Sequence, residues 1–352
     1  MQNEEVKIRP QLDDESVVKL VKKLYNFSVT SVKELNAYND KNCWIKIEDH
    51  HDNPHVDKIF NDGYILKIMN TIDSKYPDVI DGQNKMMIYL HENLIPCSVP
   101  VQNIDGDLFS LVHIKENDTQ KYIVRLLTFI PGETLFNVPI STRHLQEVGF
   151  LTAKLNNILH GFDHPSFKER KFDWMLIAAP KIKEFINVIK NDADKHLIIE
   201  IINCFENKVM KNIDSFEKGI IHGDINEQNL LVDAETKLNI MGVIDFGDSH
   251  YSCVIFDLII AICYMIIQTN NVNSGQYVVQ GFEMIKKLKS IEKNILKIGV
   301  CMRICQSLVY SAYYHSIDPE NDYILTTQIN GWNVLRELWK LSDEQIFKIW
   351  SL

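Results

Sequence analysis

The sequence predicts an α+β protein of two lobes: a small antiparallel-sheet lobe with one key helix, then a larger, mainly helical lobe. Three observations carry this. Strand-like apolar runs are concentrated in the first third of the chain, at residues 28–35, 43–48, 64–69 and 122–130. Past Pro131-Gly132, a natural break between lobes, strand signals nearly vanish and helical spacing takes over. The exception is residues 220–248, IIHGDINEQNLLVDAETKLNIMGVIDFGD, where two short apolar runs flank a polar turn. The lobes are accordingly placed at 1–130 and 131–352.

The 352 residues, 45% hydrophobic and 24% charged, are ample for a sizeable core in each lobe. A formal net charge of -10 argues against nucleic acid or an anionic membrane as the main partner and suits a cationic small substrate. The first ten residues are polar and lack the apolar core of a signal peptide. The longest apolar run, residues 258–267, is too short to span a bilayer. Seven scattered cysteines without a CxxC pair predict reduced, mostly buried thiols in a cytoplasmic protein.

Residues 13–25 open with acids and place Val17, Val18, Leu20, Val21 and Leu24 at helical spacing, so a first amphipathic helix is expected. Strands 28–35 and 43–48 follow, joined by the polar turn 36–42. Local sequence alone makes that turn an ordinary hairpin. The loop at 49–62 carries His50, His51 and His55 among acids, but no spacing there fixes metal-ligand geometry, so a solvated tip is the default. Strand 64–69 holds one basic residue, Lys67, amid apolar neighbours. Helix 78–92 carries Asp81, whose neighbour Gly82 weakens it by roughly 1 kcal/mol relative to alanine. Residues 99–104 and 108–114 suggest a hairpin around Asp105-Gly106. In the second lobe, helices are expected at 142–160, 181–189, 197–216, 256–268, 276–288, 292–315 and 322–340. Asp257, near the start of the fourth, is read as a helix cap that also braces the preceding loop.

The chemistry lies in residues 220–248. Asp224 sits in His222-Gly223-Asp224, Asn229 follows five residues on, and Asp245 opens Asp245-Phe246-Gly247. A hairpin through 230–232 and 240–244 returns Asp245 to Asp224 and Asn229. Two carboxylates and an amide oxygen then converge, which is what Mg²⁺-assisted phosphoryl transfer needs: an acid to take a hydroxyl proton, and Asn and Asp to hold metal.

With Lys67, Asp81, the HGD triplet, Asn229 and Asp245 in this order, the chain resembles the aminoglycoside phosphotransferase/choline kinase branch of the protein-kinase-like fold. The glycine within HGD sets it apart from protein kinases. A narrower resemblance, to the hydroxylysine kinase family, rests on residues 124–132 (VRLLTFIPG), 244–251 (IDFGDSHY), Cys305-Gln306-Ser307-Leu308-Val309 and Gly331-Trp332. It implies a bilobal kinase-like fold with a nucleotide-binding first lobe. It also implies a cytoplasmic enzyme of lysine breakdown that phosphorylates the side-chain hydroxyl of 5-hydroxy-L-lysine, with Mg²⁺ and GTP (ATP being the alternative donor). Carried over by position, Asp224 is the base and Asn229 and Asp245 hold Mg²⁺. Lys67 contacts the phosphates and is held by Asp81, where the family favours Glu. Tyr38 and Asn39 belong to the phosphate loop, and the backbone near residues 127–130, Leu127 and Phe129 included, faces the purine base.

A zwitterionic acceptor needs opposite charges at its two ends. Asp248 and Glu227 are the candidate ammonium partners and Arg303 the candidate carboxylate receptor. Two other readings compete: another amino alcohol as acceptor (choline or ethanolamine, homoserine, an aminoglycoside), or a nucleotide-binding pseudokinase scaffold, against which all three catalytic oxygen positions are present.

Overall fold

The computed structural model describes residues 9–37, 39–115, 120–317, 319 and 325–352. The chain divides into two compact units, Met1–Pro131 and Gly132–Leu352. Tyr38, the start of the expected helix 322–340 and the first eight residues lie outside the described residues.

The first unit runs α1 (Asp14–Tyr25), β1 (Val29–Leu35), β2 (Lys41–Ile47), β3 (Tyr64–Ile68), α2 (Pro77–Glu92), β4 (Pro100–Val101), β5 (Ser110–Val112) and β6 (Tyr122–Thr128). Its strands form one antiparallel sheet in the order β1-β2-β3-β6-β4, with β5 on another stretch of β6. The helix α1 begins where Asp13 accepts a hydrogen bond from Ser16 N at 2.8 Å. Its Val17, Leu20, Val21 and Leu24 pack with Cys43, Ile45, Tyr64, Leu66 and Ile68 in one core. Each such aliphatic side chain is worth about 1.5–3 kcal/mol when fully buried.

Alternation along the strands sends the intervening residues to the opposite face. There Lys67 pairs in register with Asn42 on β2 and Arg125 on β6. Arg125 is buried and reaches α2, donating to Asn84 Oδ1 at 2.9 Å and Gln83 Oε1 at 3.0 Å. The lysine therefore shares the sheet face that α2 covers.

The hairpin expected at 99–114 does not form. Strands β4 and β5 both pair with β6 and not with each other. Asn103 explains this: its side chain accepts from the backbone N–H of Asp105 and Asp107, curling the link into a tight loop rather than a ladder.

The second unit comprises β7 (Glu133–Thr134), α3 (Thr142–Leu159), α4 (Pro165–Glu169), α5 (Asp192–Lys208), β8 (Lys218–Ile221), β9 (Leu230–Val232), β10 (Ile240–Val243), β11 (His250–Cys253), α6 (Ile255–Thr269), α7 (Ser274–Glu283), α8 (Ser290–Ile317), α9 (Gln328–Lys340) and α10 (Asp343–Trp350). Ser141 and His144 cap the start of α3 reciprocally. Helices α3 and α7 meet backbone to backbone. A Cβ at Gly149 would stand 1.9 Å from Val278 O, and one at Gly281 would stand 1.8 Å from Gln146 O, so only glycine fits either side.

Differences from the expected elements have local causes. Residues 176–188 form 3₁₀ turns instead of an α-helix, with Pro180, which has no backbone N–H to donate, near their start. Strands β7, β8 and β11 are two to four residues long, too short to show alternation. The longest helix, α8, has the length and composition of a membrane span, yet 89% of its most apolar window is buried within the structure. Among the described residues no His, Cys, Asp and Glu grouping could hold a metal in the ordinary way. His51 instead packs on Phe27 at 5.0 Å and accepts from Asn53 N.

Candidate active site

Two small ladders bring the candidate residues of the second unit together. The hairpin β9–β10 is antiparallel, and Ile244 N donates to Asn229 O at 2.9 Å, setting Asn229 beside the approach to Asp245. The pair β8–β11 aligns His250 with Ile221, so the turns after β8 and before β11 lie against each other. Gly223 occupies that contact with φ +83°, and a Cβ there would stand 2.5 Å from Asp248 O. Only glycine combines that backbone with that approach.

The turn is held from below by Asp257, at the start of α6. Its Oδ2 accepts from His222 N at 3.0 Å and Asn156 Nδ2 at 2.8 Å, and its Oδ1 accepts from Gly223 N at 2.8 Å. The brace expected from the sequence thus has three donors. His222 locks the same turn from above: Nε2 donates to Ile244 O at 3.2 Å while Nδ1 accepts from Asp224 N at 3.2 Å. Its ring packs on Phe246, 4.9 Å between centroids.

Asp224 is fastened at both oxygens. Oδ1 accepts from Arg303 Nη2 at 3.1 Å, and Oδ2 accepts from Asn226 Nδ2 at 2.8 Å and Asn229 Nδ2 at 2.9 Å. Burial pushes its pKa above the ordinary carboxylate value, with Arg303 and His222 opposing and Asp245 adding to the rise. Asn226 was not singled out from the sequence; the signal was available, since an Asn whose Oδ1 accepts from residues two and three ahead (Gln228 N 2.9 Å, Asn229 N 3.0 Å) makes a local turn.

Asn229 spends its amide N–H₂ on Asp224, so its Oδ1 faces away from that contact. Asp245 is exposed, lies in the left-handed region at φ 59°, and accepts from Gly247 N at 3.1 Å. An amide oxygen and a carboxylate, adjacent and both hard donors, fit a divalent cation such as Mg²⁺ completed by phosphate and water oxygens.

Two further acids crowd the same neighbourhood. Asp248 is half-buried, and burial followed by the charge of Asp224 raises its pKa to about 7, with Arg170 and Arg303 opposing. Glu227 is 8% exposed, its Oε2 meets no hydrogen-bond donor, and burial raises it to about 7. A buried carboxyl oxygen without a donor, such as Glu227 Oε2, favours a cation beside it.

Arg303 requires a correction. The expected carboxylate receptor is 1% exposed, and its guanidinium is already committed: Nη1 donates to Trp174 O (2.8 Å) and Gln306 Oε1 (3.1 Å), Nη2 to Asp224. Bidentate capture of a second carboxylate would need those contacts broken. The other guanidinium of this neighbourhood, Arg170, was not foreseen. It donates to Ser249 O at 2.8 Å and stacks on Phe172 at 4.2 Å.

In the first unit, Lys67 is 6% exposed and its charge is felt by Asp40, whose pKa burial raises. Asp40 accepts from Asn70 N at 2.8 Å, tying the turn after β1 to the end of β3. Asp81 pairs with Lys85 at 2.6 Å on the exposed side of α2. Asn39 is exposed on that turn. Leu127 is buried in β6, Phe129 packs on Trp44 at 5.8 Å, and Phe129 N donates to Gly63 O at 3.1 Å.

Residues 46–282 match the APH phosphotransferase enzyme family. Over 357 residues the chain is 31% identical to hydroxylysine kinase of Mus musculus, covering 97% of this chain and 93% of that protein. Hydroxylysine kinase of Xenopus laevis is 32% identical, covering 97% and 94%. Among solved structures, an amicoumacin kinase in complex with AMP-PNP and Ca²⁺ superposes with a TM-score of 0.69 at 15% identity, covering 98% of this chain and 99% of that one.

Proposed function

The chain belongs to the APH phosphotransferase enzyme family, and from that premise we propose that it phosphorylates the side-chain hydroxyl of 5-hydroxy-L-lysine with GTP as donor. The observation that carries the reaction is Asp224, a half-buried carboxylate fixed at both oxygens beside an amide-and-carboxylate pair. In the proposed step the acceptor hydroxyl oxygen forms a bond to the γ-phosphorus as its proton passes to Asp224. The bond to the nucleoside diphosphate breaks and that group leaves. Asn229 and Asp245 would hold Mg²⁺, which when bound neutralises charge on the phosphate oxygens.

The acceptor rests on the relatives' names and on the excess of carboxyls. Glu227 and Asp248 interact electrostatically with Asp224, and burial holds both carboxyls toward the neutral form; an ammonium group beside them would favour their ionised form and be held by it, which suits an amine-bearing alcohol. The committed state of Arg303 favours a second reading, an amino alcohol without a carboxylate, unless Arg170 takes that end of the substrate. Seven free cysteines suit the cytoplasm, where the reaction would serve lysine breakdown.

The test is release of GDP or ADP from GTP or ATP with Mg²⁺. Acceptors would be 5-hydroxylysine, lysine, homoserine, choline and 5-hydroxylysine lacking its carboxylate. We expect turnover with 5-hydroxylysine, faster with GTP, and abolished by chelation of the metal. Arg170→Met should raise KM for 5-hydroxylysine at least tenfold and leave the decarboxylated analogue within threefold. Equal turnover of both analogues by the unaltered protein would replace the amino acid by a simple amino alcohol.

A further inference from the structure

Arg303 is built into the second unit more tightly than a receptor for a mobile substrate requires. Besides its three hydrogen bonds it lies over two rings, with its guanidinium carbon 5.3 Å from the centroid of Trp174 and 5.4 Å from that of Tyr264. Gln306, one turn along α8, is itself oriented. Its Nε2 donates to Asp173 O at 2.7 Å and Met175 O at 3.2 Å, so Oε1 is the atom left to face the arginine. A line of contacts therefore runs from the backbone at 173–175 through Gln306 and Arg303 to the Asp224 carboxylate.

We infer that Arg303 is the positioning residue of this site: with Asn226 and Asn229 on the opposite oxygen, it fixes the plane of the Asp224 carboxylate and so the direction in which the acceptor hydroxyl is received. This rests on the phosphotransferase reading and not on the identity of the acceptor. The torsion that turns a carboxylate is broad and two-fold, so nothing intrinsic to an aspartate selects one plane. Donors from α8 and from the turn itself select it here. A misplacement of about 1 Å at such a group costs on the order of 10²-fold in rate. Lysine cannot substitute fully, because one ammonium cannot serve Trp174 O, Gln306 and Asp224 with a planar fork.

The test compares Arg303→Gln, Arg303→Lys and Gln306→Met in the full chain. Turnover is followed with whichever acceptor the unaltered protein uses, and with water through slow nucleotide hydrolysis. We expect Arg303→Gln to lower kcat roughly 100-fold while acceptor KM and nucleotide affinity stay within about threefold. Arg303→Lys should recover about tenfold of that loss. Combined with Asp224→Asn, Arg303→Gln should add no further loss, because both act through one carboxylate.

An unchanged kcat with a raised KM confined to carboxylated acceptors would overturn the inference and return Arg303 to substrate binding. Losses that multiply in the double variant would equally overturn it, leaving a general structural role. If Arg303→Gln does not fold, Gln306→Met carries the test: a kcat loss of about tenfold supports the relay, and an unchanged kcat overturns it. A protein that consumes no nucleotide with any acceptor or with water would defeat the phosphotransferase reading and this inference together. Turnover that survives all three variants would defeat this inference alone.

Discussion

Replacing Asp224 by asparagine should lower turnover by about 10²–10⁴-fold while nucleotide affinity stays within about twofold. The amide is the same size but has the wrong donors. Arg303 donates to one oxygen of Asp224, and Asn226 and Asn229 donate to the other. Whichever way the new amide turns, its N–H₂ group meets a donor on one side, and the remaining oxygen is no longer a base. Neutralising Asp224 also takes the charged partner from the buried Arg303 guanidinium, so some loss of stability is expected, and thermal unfolding of the variant separates it from the loss of turnover. Initial rates with saturating acceptor, set beside nucleotide titrations, measure both quantities. A variant within tenfold of the unaltered rate would mean that Asp224 is not the base.

Replacing Asp257 by alanine should cost on the order of 3 kcal/mol in the second unit and abolish most turnover. Three donors lose their acceptor at once: the backbone N–H groups of His222 and Gly223, and the Asn156 side chain. Each buried donor left unmatched costs about 1–3 kcal/mol, partly offset because the carboxylate itself was costly to bury. At roughly 2–4 °C per kcal/mol for a domain of this size, melting should fall by about 6–12 °C. Thermal unfolding followed together with turnover separates the two effects. A variant that melts with the unaltered protein would show that the turn keeps its shape unaided.

Much of this was legible beforehand because it depended on local pattern. The helix α1, with its Asp13 cap, and the hairpin β9–β10 follow from spacing within a dozen residues. The order Asp224, Asn229, Asp245 fixes its own convergence, because the hairpin between them is short. What was not legible depended on partners distant in the chain. Arg303 reads as a surface or substrate-facing cation until Trp174, Gln306 and Asp224 close around it across 79 residues or more for two of them. Arg170 carries no local signal at all, since its role comes from Ser249 and Phe172 and from the charge of Asp248. The 99–114 segment departs from its local pattern for the opposite reason: Asp105-Gly106 is a good hairpin turn, but Asn103 satisfies the loop's own backbone first.

The contact between Trp174 and Arg303 has an optical consequence. Of the five tryptophans, Trp44 alone belongs to the first unit, where it packs on Phe129, while Trp174 stands one guanidinium away from Asp224. An indole against a fixed cation emits according to the field around it, so a hydroxyl compound arriving at Asp224 should change the emission of Trp174. On the proposed reading, in which the backbone near Phe129 faces the purine base, nucleotide should change that of Trp44. A Trp44→Phe protein would then report acceptor, and a Trp174→Phe protein nucleotide, each as an intensity change in the unlabelled chain. The order in which the two substrates bind could be followed by stopped flow without a chemical probe.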